Sequence, residues 1–430
     1  MTRFIAIVLL LLIAIPVIAQ DDAPDVIPPE LDAHLDALVS ITEQIRGLDT
    51  ITPIERAFPT REDTIAYLTQ LYDEALSLDD WQRQAAFYGA LDLLPDDVDL
   101  RDLYLTLLGS QVAGFYDTET RLMNVLPLGF RGETNLALTE QIIFIHEYTH
   151  ALQDQHFQID SLTETADESE LSPDQSLAIT SLIEGDASAV MTVYSQEIAM
   201  QNPLAAVVLL AETFQSGGLT LPEGTPGMLV RELTFPYEAG MSFVTELYQA
   251  GGWEAVNAAY ANLPISTEQI LHPEKYLSGE APLIVDYTLS DTLPDWTSLY
   301  DTTLGEFYLR EHLRSGLNSL EARDAAAGWG GDRFQLLINP ETGDQVWTLT
   351  ALWDTVDDAN EFFDYYVELG AEVFGEQNTS GERQPCWTSE AETRCLMRVR
   401  TGAAGDDWMI AILSTTNPDL MDQLIWRYTG

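Results

Sequence analysis

The amino-acid sequence predicts an α+β protein, mainly helical through its first two thirds and mixed at its C-terminal end. Three observations carry this. Apolar residues recur at spacings of three and four across residues 23–110. Two long, strongly apolar stretches, Leu136 to Ile159 and Ser176 to Met200, read as helices of the same period. After about residue 300 apolar and polar residues alternate in short runs, which is the period of strands.

Taken in order, Met1–Thr2–Arg3 carries one positive charge, Phe4 to Ala19 is uncharged and almost wholly apolar, and Gln20, Asp21 and Asp22 begin a polar stretch. That is the pattern of a secretory signal peptide ending near Ala19. The apolar run is shorter than the ~20 residues a membrane-spanning helix needs. A signal over residues 1–19 is therefore expected, with a secreted or periplasmic mature chain and no stable membrane association after cleavage. A helical N-terminal region, residues 20–110, follows, with helices at Leu31 to Ile45, Thr60 to Leu76, Asp80 to Leu94 and Leu100 to Leu108. Thr60 suits an N-cap and Pro95 closes the third helix. A core is expected over residues 111–300. It opens with a hairpin from Gly114 to Leu126 around an Asp-Thr-Glu-Thr turn, followed by the two long helices and an acidic loop between them. Helical text continues at Tyr237 to Ala250 and Trp253 to Leu263. Residues 301–430 are expected as a separate α+β domain, with strands at Phe334–Ile338, Val346–Trp353, Leu396–Val399 and Trp408–Leu413, and helices at Asp357–Leu369 and Pro418–Tyr428.

The charge narrows the partners. Nineteen Lys+Arg against 70 Asp+Glu give −51 over 430 residues. Such a surface repels phosphate, so no nucleic-acid partner is expected, and anionic membrane surfaces are disfavoured too. Lys275 is the single lysine. The two cysteines, Cys386 and Cys395, flank a turn-rich stretch, and a disulfide across a hairpin agrees with export.

The chemically informative run is Ile142 to His156, which contains His-Glu-x-x-His at His146, Glu147 and His150. On a helix, positions i and i+4 share a face. Two imidazoles so placed can hold one Zn²⁺, and the intervening Glu147 can act as general base toward a water polarised by the ion. Such a motif also arises in helices whose histidines make ordinary hydrogen bonds. By chance it is expected roughly 0.01 times in a chain of this composition. A zinc site needs a third ligand, and two candidates exist. His156 stands ten residues after His146, but Gln153 occupies the position where a glycine would turn the chain, so a continuing helix carries His156 to another face. Glu184 lies in the second long helix among Leu182, Ile183, Gly185, Ala187 and Ala189. A carboxylate in such apolar text wants a partner, and small neighbours let helices approach closely. Glu184 is the expected third ligand, with Asp186, Ser188 and Asp154 as candidate acceptors for the imidazole N–H groups.

His146, Glu147, His150 and a downstream helix glutamate resemble the gluzincin class of zinc metallopeptidases. The run from His146 to Phe157, with Ile183–Glu184–Gly185–Asp186–Ala187, is similar to that of bacterial secreted zincin-like proteins. The resemblance spans roughly residues 110–280. The gap between His150 and Glu184 is longer than in thermolysin-like members. The resemblance implies a zincin-like catalytic core and an edge strand that pairs with extended substrate, for which the hairpin over Phe115–Leu126 is the candidate. It also implies a distal His or Tyr that stabilises the tetrahedral oxyanion; His272 and Tyr237, both in proline-marked text, are the candidates. His34 and His312 are expected at the surface. The resulting expectation is an exported zinc-dependent metallopeptidase acting on peptide or protein substrates. The alternative is a non-catalytic envelope or binding protein that keeps the fold and metal site.

Overall fold

The computed structural model describes residues 28–95, 98–111, 114–126, 136–162, 171–204, 224–289, 292–377, 384–401 and 407–429. The expected signal peptide lies outside the described residues. The chain forms two compact units. The first comprises Met1–Trp81, Asp99–Leu171 and Ser176–Pro264, the second Gln82–Val98, Ser172–Gln175 and Ile265–Gly430.

In the first unit, helix α1 (Pro29–Arg46) ends at Gly47, whose φ of 72° is the left-handed cap that glycine adopts without steric cost. Leu31, Leu35 and Leu38 of α1 share one buried cluster with Ile142, Phe144, Ile145, Tyr148 and Leu152 of α5 (Leu138–Phe157) and Val190 and Tyr194 of α7 (Pro173–Gln201). Helix α2 (Arg61–Ala75) starts where its cap predicts, with the Thr60 side chain accepting from the Asp63 N–H. Three short strands, β1 (Glu55–Ala57), β2 (Gly114–Asp117) and β3 (Leu122–Val125), lie in the order β1-β3-β2. β2 and β3 form the expected antiparallel hairpin, β1 runs parallel to β3, and β2 is left at an edge. Tyr67 of α2 stacks on Phe115 of β2 at 5.9 Å between ring centroids, and its hydroxyl donates to Asp117.

Helix α8 (Gly227–Ala261) begins ten residues before the sequence signal, so Tyr237 lies inside the helix rather than at its start. Pro236 sits inside the helix without ending it, because the helix is held by packing of Phe235, Gly240, Phe243, Val244 and Leu247. The chain breaks helical geometry at Gly251 and Gly252, between the two predicted segments. α7 and α8 touch backbone to backbone: a Cβ on Gly185 would lie 2.2 Å from the Gly240 carbonyl, and a Cβ on Gly240 would lie 2.1 Å from the Ser181 oxygen.

The second unit is built on a six-stranded antiparallel sheet of order β4-β5-β6-β9-β8-β7. Its strands are β4 (Thr297–Thr302), β5 (Trp329–Ile338), β6 (Gln345–Trp353), β7 (Cys386–Thr388), β8 (Thr393–Thr401) and β9 (Asp407–Thr415). Helix α13 (Val356–Phe374) packs across β6 to β9. Met421, Leu424 and Tyr428 of the C-terminal helix α14 (Met421–Thr429) join Leu337, Val346, Met397, Ala411 and Leu413 in a second core. Cys386 and Cys395 are direct cross-strand partners, and their sulfurs lie at bonding distance, 2.01 Å. Lys275 is ringed by three carboxylates, with Nζ 2.6 Å from Glu268, 2.8 Å from Glu280 and 2.5 Å from Asp354. His312 corrects the surface expectation: it is fully buried, with Nδ1 2.8 Å from the Leu91 carbonyl and Nε2 3.0 Å from the Tyr366 hydroxyl. Among the described residues no helix is long and apolar enough to cross a membrane.

Candidate metal centre

Every residue of α5 from Ile142 to Gln153 is buried, so the helix is enclosed on all sides rather than laid on a surface. Glu140 steadies its first turn by accepting from the Ala137 N–H at 2.7 Å. Within this enclosed helix, His146 and His150 turn their Nε2 atoms toward one another, 3.0 Å apart. Glu184 of α7 completes a triangle, its Oε2 3.0 Å from His146 Nε2 and 3.5 Å from His150 Nε2. These are the three side chains of one metal-competent cluster, all buried. Tetrahedral zinc with bonds of ~2.0–2.1 Å sets its ligand atoms ~3.3–3.4 Å apart. The triangle is within a few tenths of an ångström of that spacing, so the donor set fits a zinc ion in both chemistry and dimensions.

The electrostatics are those of two imidazoles around one carboxylate. Burial alone would raise the Glu184 carboxyl, but His150 and His146 outweigh it and hold it at about 2. Burial lowers His146. His150 feels the same penalty, yet Glu184, Glu147 and Gln153 together hold it up at about 9. Without an ion, the carboxylate draws a proton onto the pair of rings; a cation would take that place.

Glu147 is turned toward the hairpin. Its Oε2 accepts from the backbone N–H of Tyr116 at 3.1 Å, so the outer edge of β2 carries the carboxylate. β2 stands at the sheet edge, and its Tyr116 N–H is engaged by Glu147. Tyr237 reaches the centre from α8. Its ring centroid is 5.9 Å from that of His146, and its hydroxyl hydrogen-bonds Glu184. Burial, together with the Glu184 and Glu147 charges, raises its pKa well above the usual phenol value, so it is a neutral donor.

The remaining candidates have other partners. His272 belongs to the second unit, between helices α9 (Thr267–Leu271) and α10 (Pro273–Ser278), where its Nε2 lies 3.2 Å from Glu306. His156, still on α5, hydrogen-bonds the Asp49 carbonyl at 2.8 Å. None of the three residues expected to accept from an imidazole does so. Asp154 accepts from the Tyr116 hydroxyl at 3.0 Å, Ser188 is buried on α7, and Asp186 bonds Gln153 and Tyr260. The acceptor for His150 is Gln153, whose Oε1 lies 2.8 Å from Nδ1. Gln153 is three residues past His150 on the same helix, a spacing visible in the sequence; nothing local marks Arg46, which meets Asp186 from α1 at 2.7 Å.

Comparison with known proteins bears on the other end of the chain. No curated protein and no solved structure matches it. Residues 297–421 match a family described as a domain of unknown function, DUF8575, a segment that lies wholly within the second unit and C-terminal to every residue of the cluster.

Proposed function

We propose that the protein is an exported zinc-dependent metallopeptidase that hydrolyses peptide bonds, with His146, His150 and Glu184 holding the ion. The observation that carries this reading is the convergence of three ligand atoms on one point, with a carboxylate one residue past the first ligand. A structural zinc site would have no use for that carboxylate. Zn²⁺, when bound, polarises the substrate carbonyl and acidifies water. Glu147, anchored by the Tyr116 N–H, accepts the proton of the attacking water and delivers it to the leaving amine nitrogen. Tyr237, a neutral phenol beside the ligands, donates toward the oxyanion.

One observation favours the non-catalytic alternative: His146, Glu147, His150 and Glu184 are each at most 1% exposed. Catalysis then requires an opening motion, and a purely binding or structural protein does not. Glu147→Gln decides between the two. The amide keeps the size of the side chain but cannot take a proton. Zinc stoichiometry by plasma emission should be unchanged, while casein hydrolysis falls by ~10²–10⁴. A wild-type protein that holds zinc and leaves casein intact supports the alternative.

A further inference from the structure

We infer that Arg46, the last residue of α1, is a positioning residue for the metal ligand His150. This rests on the zinc reading above. Arg46 is the last residue of α1 and is fully buried. Its guanidinium lies 4.5 Å from the Trp253 ring centroid and 5.9 Å from that of Phe157. Nη2 donates to Asn257 at 2.7 Å, and Nε forms an ion pair with Asp186 Oδ1, also at 2.7 Å. The other Asp186 oxygen accepts from the Tyr260 hydroxyl at 2.8 Å and from Gln153 Nε2 at 3.1 Å.

The Gln153 amide is the pivot. Its nitrogen also donates to the Ile183 carbonyl at 2.9 Å, so both amide hydrogens are committed to α7. Only the carbonyl oxygen remains for His150. Turning the amide over would set its oxygen against the Ile183 carbonyl and the Asp186 carboxylate, two acceptors with nothing to donate. The His150 Nδ1 must therefore carry hydrogen toward Gln153, and with an ion present Nε2 offers its lone pair to the site. Arg46 holds this arrangement in place because it supplies the charge that keeps Asp186 where Gln153 needs it. A buried carboxylate stripped of its counter-ion is strongly unfavourable. Replacing Arg46 by an apolar residue would leave Asp186 in that condition two residues from Glu184.

The test uses the full chain and Co²⁺ as a visible-absorbing probe of zinc sites, titrated into wild type, Arg46→Met, Gln153→Leu and the double variant Arg46→Met/Asp186→Leu. Arg46→Met and Gln153→Leu should each weaken Co²⁺ binding ~10–100-fold and alter the ligand-field bands. The double variant removes both buried charges and should recover thermal stability. It should nevertheless bind Co²⁺ more weakly than wild type, because the Gln153 amide then keeps the Ile183 carbonyl alone to orient it. Recovery of wild-type affinity and spectrum in the double variant would show that Arg46 matters only for folding, and would overturn the inference while leaving the zinc reading intact. Unchanged binding in Gln153→Leu would do the same. A wild-type chain that binds neither Co²⁺ nor Zn²⁺ would overturn the zinc reading itself.

Discussion

Glu184 places one negative charge where two imidazole nitrogens converge, and that charge is what a dication would find between the two rings. Glu184→Ala should therefore take bound zinc from stoichiometric to near zero, whereas His156→Ala, whose ring is tied to the Asp49 carbonyl, should leave it. The opposite result, read by plasma emission on both variants, would move the third ligand to His156. A second residue-scale case is Asp174, buried in the second unit and accepting from the Thr267 N–H at 2.9 Å. Burial, with the Asp332 and Glu268 charges and against the Thr267 hydrogen bonds, raises its carboxyl to about 8. The folded state thus keeps a proton that the unfolded chain releases near the ordinary carboxylate value, and this residue's contribution falls as pH rises through that window. Asn at this position is neutral throughout. The melting temperature of Asp174→Asn should gain on wild type between about pH 5 and about pH 8, and a constant difference would refute the assignment. His146, Glu147 and His150 were legible in the sequence because their relation is a helical spacing, and Glu184 because a carboxylate stood among small and apolar neighbours. Gln153 and Arg46 were not, since their role depends on which groups on other helices they meet.

The crossing of α7 and α8 works only because two glycines face each other. The sequence signal at Gly185 was that of a helix prepared for close contact, but the approaching helix is α8, which brings Tyr237, rather than α5. Gly185→Ala puts a methyl inside the Gly240 backbone, so the helices must separate. A loss of ~1–3 kcal/mol or more in chemical denaturation is expected from such overpacking, with Tyr237 displaced from His146. A neutral effect would mean the helices are not in backbone contact. Element existence was readable wherever period was strong, as in α5, α7 and the strands after residue 329. The start of α8 was not, because Pro236 reads locally as a breaker while its neighbours' burial overrides it.

Over the whole chain, the second unit begins at Ile265 and gathers residues 82–98 and 172–175, where the sequence suggested a simple cut near residue 300. Those two segments are far from residue 265 in sequence, so only long-range packing identifies them. Within this unit the Cys386–Cys395 bond closes a hairpin already paired in the sheet. Reduction should cost at most ~3 kcal/mol, because so short a loop restrains little chain entropy. The unreduced protein should weigh two hydrogens less than the reduced one; equal masses would mean free thiols. The setting of Lys275 has a practical consequence. Its ammonium is kept protonated by Asp354, Glu268 and Glu280 against the effect of burial, so little neutral amine is present at mild alkaline pH. Because it is the chain's single lysine, amine-directed chemistry finds almost nothing else. Succinimidyl dyes, biotin esters and aldehyde fixatives will react chiefly with the chain's terminal amine. The folded protein can accordingly be tethered to a support through one end, in one orientation, with its interior untouched.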